Sequence, residues 1–218
     1  IERKALKKAE KFESYFEFKR TVNVEGLTPY SPDEHSRAMD VFYDIQQHRK
    51  ASAILNPPKN KVVSREPQKI ITYVLDGVFC RSMLDLVVIT DNEIISIDLK
   101  TTSKPLSNFE YWYSRRRYYR QQGLYRHALR REFEGTEHEG LPILTYVVAS
   151  HTQEPYGTIV RRIDDALLDR GFQEIETLLE HLTFHVRENV WSYRPDYYKQ
   201  DRIPKLDLNE SNLLPLNL

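Results

Sequence analysis

The sequence predicts an α/β fold in the order αβββαβ, a mixed sheet flanked by helices. Three observations carry that expectation. KIITYVL, VFCRSMLDLVVIT and EIISIDLK, between residues 69 and 100, are β-rich runs joined by the two-residue turn signals Asp76–Gly77 and Asp91–Asn92. Helical patterns precede and follow this block. LPILTYVVAS, residues 141–150, is a short and almost wholly apolar run, as expected of a strand buried on both faces.

Taken in order, KALKKAEKFESYFEF reads as an amphipathic helix with Leu6, Ala9, Phe12 and Phe16 along one face. Ser31, Pro32 and Glu34 form a helix start: an N-cap, a proline at the first turn and the acid of a capping box. That helix runs through Ala38, Val41, Phe42 and Ile45. HRKASAIL at 48–55 continues it or forms a short successor, and Asn56–Pro57–Pro58 stops it. After the three strands a single helix is expected over roughly 108–133, ending near Gly135. TIVRRI reads as a further strand. The closing helix, 164–184, turns Leu167, Leu168, Ile175, Leu178 and Leu179 inward, with Gly171 counting against its continuity. No repeat or long linker divides the chain, so the expectation is one domain over 1–218. Within it, residues 1–58 are expected to be helical, about 60–186 to form the core and 187–218 to be an irregular tail.

Composition bounds the function. With 40% hydrophobic and 29% charged residues the chain reads as soluble and globular. It contains no apolar run near the roughly 18–20 residues of a membrane span, and no signal peptide opens it. Cys80 is the only cysteine, which excludes a disulfide framework, a zinc cluster or a cysteine-ligated iron–sulfur cluster built within these residues. An intracellular, cytoplasmic setting is the expectation. Thirty-two basic residues balance 32 acidic ones, which argues against a generic polyanion binder. The charge is unevenly spread, however. Residues 115–131 hold seven Arg, three Tyr and no acid, a pattern that suits a phosphate backbone and stacked bases. The alternative is a solvated helix face balanced by the acids of EFEGTEHE.

Three charges sit in the β-rich block: Asp85, Asp98 and Lys100. With Asp91 and Asn92 at the turn, Thr90 opposes Glu93, paired numbers sum to 183, and Asp85 falls opposite Asp98. Facing carboxylates repel across a strand pair. Lys100, two residues beyond Asp98, points to the same face. Two carboxylates offer hard oxygen ligands to Mg²⁺ or Mn²⁺, which can polarise a phosphodiester and acidify water, while Lys100 steadies developing charge. The bland reading is a surface hairpin with an Asp98–Lys100 ion pair.

Asp85, IDLKTTS at 97–103 and QQGLY at 121–125 resemble the PD-(D/E)XK nuclease superfamily, with its restriction-endonuclease-like core. The likeness is to the RecB-like branch with a Q-x-x-x-Y helix, and within it to phage-type exonucleases of the exonuclease VIII kind. Glu66, the Asp76–Gly77 turn, Cys80–Arg81 and Tyr118 fall in the same order. The similarity spans about residues 64–126. It implies that Asp85 and Asp98 ligate the metal with the carbonyl of Leu99, and that Lys100 is the catalytic lysine. Gln121 and Tyr125 would close over the site and touch DNA. Apart from the resemblance, a single helix here puts Arg117, Gln121 and Tyr125 on one stripe with Tyr118 beside it, and Arg115, Arg116 and Arg117 supply the positive charge expected to bring DNA to the carboxylates. Glu66 either completes the acidic site or supports the sheet. The family's early-helix histidine has two candidates, His35 and His48. The implied activity is a Mg²⁺- or Mn²⁺-dependent DNA exonuclease of phage or bacterial recombination or DNA processing. A structure-specific or restriction-type endonuclease and an inactive DNA-binding scaffold are the alternatives. A single-strand annealing protein and further copies of the chain are the expected protein partners.

Overall fold

The computed structural model describes residues 32–192; the predicted helix over 4–18, the cap at Ser31 and most of the tail lie outside the described residues. Helix α1 (Pro32–Gln47) is followed by a short α2 (Arg49–Leu55), so HRKASAIL forms a successor rather than an extension. His48 makes the break: its Nδ1 accepts the Ala51 N–H at 3.1 Å and caps α2. Strands β1 (Val62–Leu75), β2 (Val78–Thr90) and β3 (Ile94–Thr102) follow as an antiparallel meander. Asp76 and Gly77 both take positive φ (50° and 78°), as the tight β1–β2 turn requires.

The helix expected over 108–133 is two helices, α3 (Phe109–Arg115) and α4 (Tyr118–Glu132). Between them Arg117 adopts a left-handed backbone, φ 54°. No Gly or Pro marks this break; packing imposes it. Phe109, Tyr113 and Tyr119 all enter one buried cluster. In an unbroken helix Tyr119 would stand about 120° around the axis from Tyr113, at roughly 100° per residue. The interruption brings the three rings to one side.

Strand β4 (Ile143–His151) returns parallel to β3, β5 (Thr158–Arg162) pairs antiparallel with β4, and α5 (Asp165–Glu188) closes the described chain. The sheet order is β1-β2-β3-β4-β5. On one face Ala128 and Leu129 of α4, with Phe133 just past its end, lie over Ile71, Tyr73, Leu84, Val87, Ile89 and Ile94. On the other, α2 packs Ala51 and Leu55 against Leu86, Val88, Ile95, Ile97 and Val148. The α/β, helix-flanked mixed sheet predicted from the sequence is therefore the fold observed.

Helix α5 runs unbroken through Gly171, and the glycine has a packing role. A Cβ there would collide with the Tyr119 carbonyl oxygen, and one at Gly123 would stand 2.5 Å from that of Leu168. Two glycines thus let α4 and α5 touch backbone to backbone. Of the leucines expected inward on α5, Leu168 is fully buried but Leu178 is 45% exposed. At roughly 100° per residue Leu178 stands about 80° around the axis from Leu168, whereas Leu179, nearly in line with Leu168, still packs against the core.

Candidate active site

The β2–β3 ladder pairs Ile89 with Ile94 and ends at Leu86 opposite Ile97, the register counted from the turn. Just past its end, Asp85 Oδ2 accepts the Leu99 N–H at 2.8 Å. The strand is irregular at this point. Leu84 joins the core under α4, whereas Leu86 joins the core under α2 and Val87 returns to the first. The inward set therefore changes parity across Asp85 and Leu86. On β1, pairing runs from Pro67–Leu86 to Lys69–Leu84, and the intervening Gln68 takes φ 51°. Such an irregularity re-aims side chains at a sheet's functional end, and here it sets Asp85 against β3 rather than in the core.

Asp98 and Lys100 point toward α4. Asp98 is 2% exposed, and Lys100 Nζ lies 2.7 Å from each of its carboxylate oxygens. The same ammonium donates to Gln121 Oε1 at 3.2 Å. Gln121 Nε2 in turn donates to the Tyr125 hydroxyl at 2.7 Å, one helical turn on. The ring of Tyr118 covers the ammonium, its centre 5.1 Å from Nζ. Burial pushes the Asp98 carboxyl above the ordinary range, and Asp85 adds to the rise, against the pull of Lys100. A cation at this site would relieve that cost.

Asp85, Asp98, Lys100, Gln121, Tyr125 and Tyr118 thus come together. The other predicted residues divide. Glu66 accepts from Lys69 at 2.7 Å, and Lys69 also meets Glu132 of α4 at 3.0 Å, so Glu66 helps tie β1 to α4. Arg116 donates to the Tyr118 hydroxyl at 3.1 Å, beside the site. Arg115 donates to Tyr111, and Arg117 lies 3.9 Å from Glu174 on α5. The expected stripe of Arg117, Gln121 and Tyr125 is broken at its first member by the left-handed turn. His35 stands on the exposed first turn of α1, and His48 is engaged as a cap. His127 stacks on Phe172 at 4.2 Å. Burial, then Arg131 and Arg130, lower its pKa.

Two neighbours escaped sequence reasoning. Gln122 is fully buried on the sheet side of α4 and helps hold the Asp98 carboxyl down. Tyr113 is buried too, its hydroxyl pKa pushed up by burial and then by the Asp98 charge. The signal for Gln122 was available: it shares a core stripe with Tyr119, Arg126 and Leu129, and its buried amide, without a hydrogen-bond partner among the described residues, marks a polar spot beside Asp98.

The donor set fits a hard divalent ion. Asp85 and Asp98 are oxygen donors on adjacent strands, and Asp85 is held by the N–H of Leu99, the residue next to Asp98. Among the described residues no cluster of three or more His, Cys, Asp or Glu side chains occurs. A small oxophilic ion that keeps water and phosphate as ligands is served by so few side chains.

Residues 34–199 match the family described as PDDEXK-like domain of unknown function (DUF3799). The chain belongs to that family. It is thereby a member of the PD-(D/E)XK nuclease superfamily, as the resemblance of Asp85, IDLKTTS and QQGLY implied. The fold agrees with a crystal structure from Eubacterium rectale that carries a provisional exonuclease assignment. The TM-score is 0.55 at 14% identity, covering 94% of this chain and 75% of that one. A second solved structure, SSO0001, aligns over 78% of this chain and 69% of that one with 15% identity and a TM-score of 0.29, too low to bear on the fold. No curated protein matches the chain. PDDEXK nucleases use divalent metal ions. No helix among the described residues is long and apolar enough to cross a membrane.

Proposed function

We propose that this PDDEXK-like domain is a metal-dependent deoxyribonuclease, acting as an exonuclease on DNA ends during recombination or DNA processing. The observation that carries the reading is the convergence of Lys100 on both oxygens of Asp98 and on Gln121, with Asp85 against the adjoining strand end. A structural ion pair needs neither the second carboxylate nor the glutamine–tyrosine relay.

Asp85, Asp98 and the Leu99 carbonyl would hold Mg²⁺ or Mn²⁺, which supplies Lewis acidity at the scissile phosphate. Lys100 presents a positive charge where charge develops on the phosphate oxygens. Gln121 holds the ammonium in place and is itself held by Tyr125. Arg116 draws the phosphate backbone toward the site. The buried Tyr113 ring, close enough to feel the Asp98 charge, is the apolar wall on that carboxylate's side.

Linear and covalently closed circular DNA, each incubated with Mg²⁺, test the proposal. Loss of the linear form alone is expected. Nicking of the circle would instead mean an endonuclease, and binding without cutting a DNA-binding scaffold. Full activity in Asp98→Ala would remove the basis for any nuclease reading.

A further inference from the structure

A cleft of about 40 Å³ opens beside Lys100, and Lys104, Trp112, Arg116 and Tyr118 are on its wall, with no acidic side chain among its lining residues. From Lys100 outward, cations and rings alternate. The ammonium lies under the Tyr118 ring. The Tyr118 hydroxyl accepts from Arg116, whose guanidinium stands 5.9 Å from the centre of the Trp112 ring. Trp112 meets Tyr111 edge to face at 5.1 Å, and Tyr111 is 57% exposed. Aromatic residues that serve only packing are buried together; this row runs out to solvent with cations set between its rings.

We propose that this row is a stacking subsite for a single-stranded DNA end, with Trp112 as the base platform and Arg116 as its phosphate contact. The inference rests on the nuclease reading above and adds the substrate class to it. Every base has a π-face and every phosphate needs a cation, so alternating rings and cations suit an unpaired strand whatever its sequence. A duplex keeps its bases stacked inside and offers Trp112 nothing. The left-handed turn at Arg117, which the packing of Phe109, Tyr113 and Tyr119 imposes, also bears on the cleft. The turn separates neighbouring arginines: Arg117 is near Glu174, while Arg116 is left on the cleft. In the free protein Arg116 covers the indole; a base takes that place and the guanidinium moves to the adjoining phosphate.

Trp112 and Trp191 are the only tryptophans, so Trp191→Phe leaves Trp112 as the sole indole reporter. This protein is titrated with oligothymidylate, with a duplex bearing a single-stranded overhang and with a blunt duplex. Ca²⁺ replaces Mg²⁺ to hold off cutting, and the anisotropy of labelled DNA is followed in parallel. Quenching of Trp112 should track binding of the oligonucleotide and the overhang and be absent with the blunt duplex. Trp112→Leu should weaken oligothymidylate binding about 5- to 100-fold, and Trp112→Phe should restore most of it. Binding and Mg²⁺-dependent cutting without quenching would overturn the stacking subsite and leave the nuclease reading intact. Equal quenching by the blunt duplex would overturn the single-strand assignment. A folded protein that neither binds nor cuts any of the three would overturn both readings.

Discussion

Lys100 is surrounded in the free protein: both oxygens of Asp98, the Gln121 amide oxygen and the Tyr118 ring all engage its ammonium. A dication entering at Asp98 must compete with that positive charge. Lys100→Ala removes the competitor, so Mg²⁺ should bind at least as tightly, measured by calorimetry, while turnover falls on the order of 100-fold. Loss of metal binding in this variant would mean that Lys100 organises the carboxylates instead of acting on the substrate. Charges do not sit in an apolar strand without cause, and Asp85, Asp98 and Lys100 stood out by that rule; Gln121 and Tyr125 were legible only through the resemblance of QQGLY to the family's Q-x-x-x-Y helix. Trp112 did not stand out, since an indole in a helix is more often core; its place between Arg116 and Tyr111 is a feature of the folded chain alone.

The pairing of α4 with α5 depends on what is absent at two positions. Alanine favours a helix over glycine by roughly 1 kcal/mol, so Gly171→Ala would stabilise an isolated α5. In this fold the new Cβ would meet backbone atoms that cannot turn aside. A net loss of about 1–3 kcal/mol in urea denaturation is expected; a gain would mean that the two helices separate at no cost. Glu174 makes the same junction sensitive to acid. Its carboxylate accepts from Arg120 at 2.6 Å, Arg170 at 3.0 Å and the Tyr119 hydroxyl at 3.1 Å. Burial works against its ionised form, but these donors win and its pKa falls. A carboxylate with a lowered folded-state pKa contributes stability above its unfolded value, and that stability is lost as pH falls through the folded one. Glu174→Gln should therefore lower the denaturation midpoint at neutral pH, with the gap to wild type closing below the ordinary carboxylate range. A gap independent of pH would assign the effect to packing. Periodicity in the sequence revealed both helices, but Gly171 read only as a weak point, because its reason is the carbonyl of Tyr119, on another helix and far back in the chain.

Across the whole molecule, β3 and β4 lie inside the sheet, whereas β1 and β5 are its edges among the described residues. Ile94, Ile97, Val147 and Val148 are all at most 1% exposed, while Ile70 and Val74 on β1 are 49% and 57% exposed. Amide exchange should therefore be slowest in the centres of β3 and β4 and fastest at the outward amides of β1. Protection of β1 equal to that of β3 would show that a strand from a second copy covers this edge. The three-strand meander, the β2–β3 register and the nearness of Asp85, Asp98 and Lys100 are legible in the local pattern of residues 69–100. These follow from alternation and a two-residue turn, which act between neighbours in the chain. The tertiary structure alone decided that α3 and α4 separate at Arg117, that Arg116 and not Arg117 borders the site, and that Gln122 lies against Asp98. Each is settled by packing between segments remote in sequence, where the need to bring Phe109, Tyr113 and Tyr119 into one core outweighs the local preference for an unbroken helix.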